Sequence, residues 1–237
     1  MFRLPWLLGL LVANAASAPA PPQQLDLQPV MPKSQEVAAL LYRHAARHAP
    51  RRSSTRLVVV ARRRPITDEQ TVLPVVGHAT APNGRRWLHV RLPGRPNGHT
   101  GWIERAGTTE RVTEWSIVVD LSRRAAIVYH RGRPARTLAV VVGKPLTPTP
   151  QGHFFVEEVL ELTAGQVGGP YALALSARST VFQEFEGGPG QIALHGLNYV
   201  GGVPGTAVSH GCIRLDTASI TWLVDRIAPG DPVTIRG

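Results

Sequence analysis

Past residue 114 the chain carries short runs, apolar or alternating and rich in β-branched residues. These runs lie at 115–121, 125–130 and 137–142, and their length and composition predict strands. A tight turn at Ser122-Arg123-Arg124 joins the first two, and Thr147-Pro148-Thr149-Pro150-Gln151-Gly152 reads as a rigid turn before a strand at 153–159. Further strands are expected at 191–194 and 232–236. Residues 160–190 are less regular, with glycine clusters near both ends, and suit a flap over a cleft or a plain excursion between strands. The clearest helical period comes late. Ile220, Leu223, Val224 and Ile227 fall at i, i+3, i+4 and i+7 behind an Asp216 cap, and the pattern stops at Pro229-Gly230.

The first half is patterned differently. Ser34 can cap a helix over residues 34–48, with Val37, Leu40, Leu41 and His44 on one face, and His44 and His48 then read as surface or packing residues. From 56 to 107 the runs RLVVVA, TVLPVVG, RRWLHVRL and HTGWIE are short strands separated by turn chemistry at Pro82-Asn83-Gly84 and residues 93–98. Their spacing predicts a small β-barrel. The pattern WLHVRL…GHTGWIE resembles bacterial SH3-like wall-associated modules.

The 237 residues suffice for two small domains, and 43% apolar content rules out overall disorder. Residues 1–3 give a positive start and residues 4–12 an apolar core too short to span a bilayer, with Ala16-Ser17-Ala18 as a small-x-small cleavage site. Residues 1–18 therefore read as a secretory signal, with an uncleaved anchor as the alternative, and the Pro- and Gln-rich residues 19–33 as an extended linker. The expected organisation is a signal at 1–18, a linker at 19–33, a helix plus SH3-like domain at 34–113, and a β-rich domain with one main helix at 114–237. The sequence therefore predicts a mainly β protein, expected to be exported to the periplasm, cell wall or exterior, with no stable membrane span after signal cleavage.

Charge adds a candidate partner. The net +10 lies wholly in the first half: residues 1–112 carry 16 Lys/Arg against 6 Asp/Glu, whereas residues 113–237 carry 10 of each. Such a field favours a polyanion. Export points to anionic cell-wall polymers and away from nucleic acid, and a solvated basic face is the alternative.

The candidate chemistry is concentrated in residues 191–216, QIALHGLNYVGGVPGTAVSHGCIRLD, which hold the only cysteine, Cys212, with His195 and His210. In an exported protein a lone cysteine has no structural partner, so it is either buried and inert or kept for reactivity. A thiolate attacks carbonyls, and a neighbouring imidazole can take its proton. On an extended backbone His210 and Cys212 point to one side, while the glycine-rich loop after His195 is long enough to return that ring to the sulfur. Backbone N–H groups around Gly211 and Cys212 suit an oxyanion, and Arg214 suits a substrate carboxylate. Three other readings stand beside this one: a His₂Cys zinc site, Ser209 as nucleophile without a G-x-S-x-G context, and Cys212 as a core residue with a structural His210.

The order TPTPQGHF, LHG, then SHGCIRL, with 14 residues between His195 and His210, resembles the L,D-transpeptidase family with its YkuD-type catalytic domain, over residues 115–237. The resemblance implies that Cys212 forms an acyl-enzyme and that His195 is its base, oriented by the carbonyl of Gly196. It also implies that Ser209, His210 and Gly211 shape the cleft and oxyanion pocket, and that Arg214 helps to hold substrate. The implied partners are peptidoglycan stem peptides, cross-linked by ping-pong acyl transfer with no metal or organic cofactor. Hydrolysis of the same stem, as an L,D-carboxypeptidase, and a non-catalytic wall-binding role are the alternatives.

Overall fold

The computed structural model describes residues 31–163, 165–184 and 187–237; the expected signal and all but the end of the linker lie outside the described residues. The first seven strands are β1 (Gln35–Leu40), β2 (His44–Arg47), β3 (Arg56–Val60), β4 (Val72–Thr80), β5 (Arg86–Arg91), β6 (Thr100–Glu104) and β7 (Thr108–Thr113). They form one sheet in the order β3-β2-β6-β5-β4-β1-β7, whose pairing runs from one edge to the other.

Residues 34–48 are therefore not a helix, and His44 and His48 do not sit on one. The segment QEVAAL consists mostly of good helix formers, but β1 is paired on both sides, with β4 and β7, and Val37 to Leu40 are all buried. Pairing and burial on both faces override the weak local propensity. His44, on β2, is buried and stacks on Tyr42.

The second half runs through β8 (Trp115–Asp120), β9 (Ala125–His130), β10 (Arg133–Ala139), β11 (Val142–Gly143), β12 (Gly152–Glu161), β13 (Tyr171–Arg178), β14 (Gln191–His195), β15 (Ala207–Ser209), β16 (Ile213–Arg214), α1 (Thr217–Val224) and β17 (Pro232–Arg236). Eight of these strands form a mixed sheet, β10-β9-β8-β17-β12-β13-β14-β16, while β11 and β15 pair separately in parallel. The mainly β class with one main helix holds. Asp216 caps that helix: its carboxylate accepts from the Ser219 N–H at 2.9 Å and the Ser219 hydroxyl at 2.7 Å, a cap worth about 1 kcal/mol. Ile220 and Leu223 join the same core as Phe154, Leu173, Leu194 and Ile213.

The interval 160–190 is more than a flap or excursion, because it contains β13, a central strand between β12 and β14. YALALSAR has no β-branched residue, and its last six residues are all buried, so neither composition nor polar alternation marks it as a strand.

Residues 31–237 make one compact unit, and β12 joins its two sheets. Successive side chains on a strand face opposite ways. Phe154 accordingly enters the core of the second sheet and Phe155 that of the first. A bulge between Val156 and Glu158 follows, and both Glu157 and Glu158 are buried. Glu157 pairs with Arg64 and, at 3.1 Å, with Arg178. Glu158 accepts the backbone N–H groups of Ile66 and Thr67 at 3.2 and 3.0 Å and the Thr67 hydroxyl at 3.1 Å. Burial and the nearby charge of Arg95 push the Arg178 guanidinium down to about 10.

Candidate active site

The parallel pairing of β14 with β16 sets Leu194 opposite Ile213 and His195 opposite Arg214. His195 ends one strand, and Cys212 directly precedes the other. His195, His210, Cys212 and Arg214 line a single cleft of about 570 Å³, with apolar walls from Val167, Phe182, Ile192 and Val208. The long loop 196–206 does return the chain to the His195 strand.

His195 is held by its own backbone. A carbonyl only accepts, so the 2.7 Å contact between Nδ1 and the Gly196 oxygen places the ring proton on Nδ1 and leaves the Nε2 lone pair to accept. The ring also backs onto Gly168, whose φ is +84°. A Cβ there would lie 2.7 Å from Nδ1, so only glycine fits both the turn and the contact. Burial lowers the imidazole below its ordinary value; the Gly196 carbonyl opposes this, the Arg214 charge adds to it, and the Gly168 carbonyl opposes it again. The balance favours a neutral ring.

The segment around Cys212 is tied at several points. Ser209 is completely buried; its hydroxyl donates to the Cys212 carbonyl at 2.6 Å and accepts the Gly211 N–H at 3.1 Å. A buried bridging hydroxyl is poorly placed to be a nucleophile. Gly211 has φ +119°, so His210 and Cys212 reach the cleft around a turn and not along an extended strand. Because its N–H is committed to Ser209, Gly211 shapes this turn and does not offer that amide to an oxyanion. Cys212 is half-buried, with Sγ 4.0 Å from the Gln191 carbonyl. Arg214 exchanges two backbone hydrogen bonds with Val141 at 2.9 Å, and its guanidinium donates to the Gly201 carbonyl.

The sequence marked the Thr-Pro repeat as a rigid turn without revealing its second role. The Thr147 hydroxyl donates to the Ser209 carbonyl at 3.1 Å, and the Lys144 N–H reaches the same oxygen at 3.1 Å. The Thr149 hydroxyl donates to the Gly211 carbonyl at 2.8 Å and accepts the Gly143 N–H at 2.9 Å. The repeat thus buttresses the turn before Cys212. Threonine alternating with proline was the available signal: proline fixes the backbone, and each hydroxyl is left to bond elsewhere. Gly168 had no comparable signal, since nothing in the sequence pairs it with His195.

Among the described residues, no group of three or more His, Cys, Asp or Glu side chains is arranged to hold a metal ion. The described part of the cleft lining contains no carboxylate and carries the positive charge of Arg214. The arrangement joins a thiol, a neutral imidazole with a fixed tautomer, and a cation in one partly apolar cleft, which is the equipment of cysteine acyl transfer.

The sequence profile of the YkuD L,D-transpeptidase catalytic domain matches residues 114–235, and the chain belongs to this family. It is 31% identical over 121 residues to the YkuD protein of Bacillus licheniformis, covering 51% of this chain and 65% of that protein, just under two thirds of its length. It is 27% identical over 200 residues to L,D-transpeptidase 1 of Mycobacterium tuberculosis, covering 76% of this chain and 78% of the relative. Among solved structures, an L,D-transpeptidase from Enterococcus faecium aligns with a TM-score of 0.40 at 25% identity, over 52% of this chain and 49% of that one.

Proposed function

We propose that this protein is an exported L,D-transpeptidase that cross-links peptidoglycan stem peptides through an acyl-enzyme on Cys212. The observation that supports this best is the single cleft shared by Cys212 and His195, with Nδ1–H of the imidazole anchored on the Gly196 carbonyl. In this reading His195 Nε2 takes the thiol proton as sulfur attacks the diamino acid's own carbonyl, the one in amide linkage to the terminal D-alanine of the donor stem. The same proton goes to the departing D-alanine amine, which leaves as the C–N bond breaks and the thioester remains. The side-chain amine of a second stem then attacks the thioester, gives up its proton through His195, and returns the thiol. Arg214 offers its charge to a carboxylate of the donor, and the turn 209–212 sets the angle of attack.

The test is direct. Mass spectrometry of the protein with a carbapenem should find one adduct on Cys212, absent in Cys212→Ala, and incubation with a tetrapeptide stem should give dimers of two stems. An adduct that persists in Cys212→Ala would overturn the nucleophile assignment. Release of D-alanine without dimers would make water the acceptor and the protein an L,D-carboxypeptidase. The proposed export is checked separately, by the N-terminal sequence of the mature protein.

A further inference from the structure

One wall of the cleft is held from the other sheet. Ser179, Phe182 and Gly190 line the cleft, and this segment leads directly into β14, which carries His195. Locally it is tied by the Ser179 N–H on the Gly190 carbonyl at 2.7 Å, and by the amides of Val181 and Phe182 on the Ser179 hydroxyl at 3.2 and 3.0 Å. Three of its carbonyls converge on one guanidinium. Arg95 donates from Nη2 to Ser179 O at 2.9 Å and to Phe182 O at 2.8 Å, and from Nη1 to Pro189 O at 2.9 Å. Arg95 belongs to the turn between β5 and β6. Two residues on, Asn97 exchanges hydrogen bonds with the backbone of Arg178 at 2.7 and 2.8 Å, fixing the end of β13.

We propose that Arg95 is a positioning residue: it fixes the Phe182 wall of the catalytic cleft, so that the first sheet takes part in binding the acyl donor. The geometry favours a guanidinium over any other cation. Its planar fork reaches carbonyls from both arms of the segment at once, whereas an ammonium is a compact point charge. Phe182 in turn meets the His210 ring edge-on, with centroids 6.2 Å apart, two residues before Cys212. Releasing Arg95 frees that ring pair and widens the cleft without touching Cys212 or His195. The donor-binding part of this inference rests on the acyl-transfer reading above; the hold on the wall does not.

The experiment uses the full chain, with Arg95→Ala and Arg95→Lys. Hydrogen exchange at the amides of Ser179, Val181 and Phe182 should quicken about tenfold or more in both variants, while the β14 amides keep their rates. With a stem-peptide donor, KM should rise about tenfold and kcat should stay within about twofold. The rate and pH profile of Cys212 alkylation by iodoacetamide, which requires only the thiolate, should be unchanged. Unchanged exchange at the three amides would overturn the proposal. So would an unchanged KM, or an alkylation rate that falls as KM rises, since that would make Arg95 a general support of the fold. A wild-type protein inert towards the stem peptide would defeat the acyl-transfer reading, and the exchange result would still decide whether Arg95 holds the wall.

Discussion

Ser209 is the residue on which the turn before Cys212 depends, because one buried hydroxyl serves both ends of it. Ser209→Ala leaves the Gly211 N–H and the Cys212 carbonyl without that partner, a cost of about 1–3 kcal/mol. Acylation by a carbapenem should therefore slow at least tenfold in Ser209→Ala and remain near wild type in Ser209→Thr, which keeps the hydroxyl; stopped-flow rates check this. His195 and Arg214 make a second residue-scale case. The Arg214 charge helps to keep the imidazole low, so in Arg214→Met the His195 pKa should rise. Only the neutral ring accepts a proton, and the acid limb of the acylation profile should then move to higher pH. Titration of the His195 ring signal by NMR gives the same answer without turnover, and a fall or no change would contradict it. Cys212, His195 and Arg214, which line one cleft, were legible as candidates, but residue type and spacing left His195 and His210 both open as the base, and only the family resemblance singled out His195. The separate work of Ser209 and Gly211 was not, since spacing does not say which amide a hydroxyl will take.

At the scale of elements, the Thr-Pro repeat and the turn 209–212 form one device, joined through Thr147 and Thr149, each 62 positions from its partner in the chain. Thr149→Val keeps the shape and removes the hydroxyl that bridges Gly143 and Gly211. It should lower stability to urea by about 1–3 kcal/mol, and acylation should slow with it; an unchanged midpoint with unchanged rates would remove the repeat from the site. The elements themselves were unevenly legible. Strands β8, β9, β12 and β17 and the Asp216-capped helix follow their patterns, because the strands are marked by β-branched and aromatic residues even where both faces are buried, and the helix has a cap and a clear stop signal. β1 and β13 do not. Both are buried on two faces and built largely from alanine and leucine, so no polar alternation remains and local propensity points elsewhere. What decides them is the partner strand on either side, which a local reading of sequence does not contain.

For the whole molecule, the first sheet is a structural part of the catalytic half: Phe155, the Arg64–Glu157 pair and the Glu158 contacts tie the two together across β12, and deleting residues 34–113 would uncover Phe155 and leave Glu157 without Arg64 and Glu158 without Ile66 and Thr67. Asp231 lies on another part of this seam, beside a cavity of about 380 Å³ lined by Val37, Arg111 and Thr113 from one side and Arg226 and Ala228 from the other. Its carboxylate accepts the Ala228 N–H at 2.9 Å and is almost wholly buried, and burial raises its pKa to about 6. The unfolded value is about 3.9. Between these two values the native state holds a proton that the unfolded state has lost, so this group's contribution to stability falls as pH rises from about 4 through about 6, by at most about 3 kcal/mol. Asp231→Asn resembles the protonated acid, keeps an acceptor for Ala228 and carries no charge at any pH. Carboxylates held below their usual range by hydrogen-bonded arginines, such as Glu104 and Glu110, slope the other way, but they are common to both proteins and cancel in the difference. Urea midpoints at pH 4 and pH 7 should therefore agree at the lower pH and favour Asp231→Asn at the higher. A difference that is constant with pH, or that favours wild type at pH 7, would mean that Asp231 is charged in the seam and that a partner there compensates it.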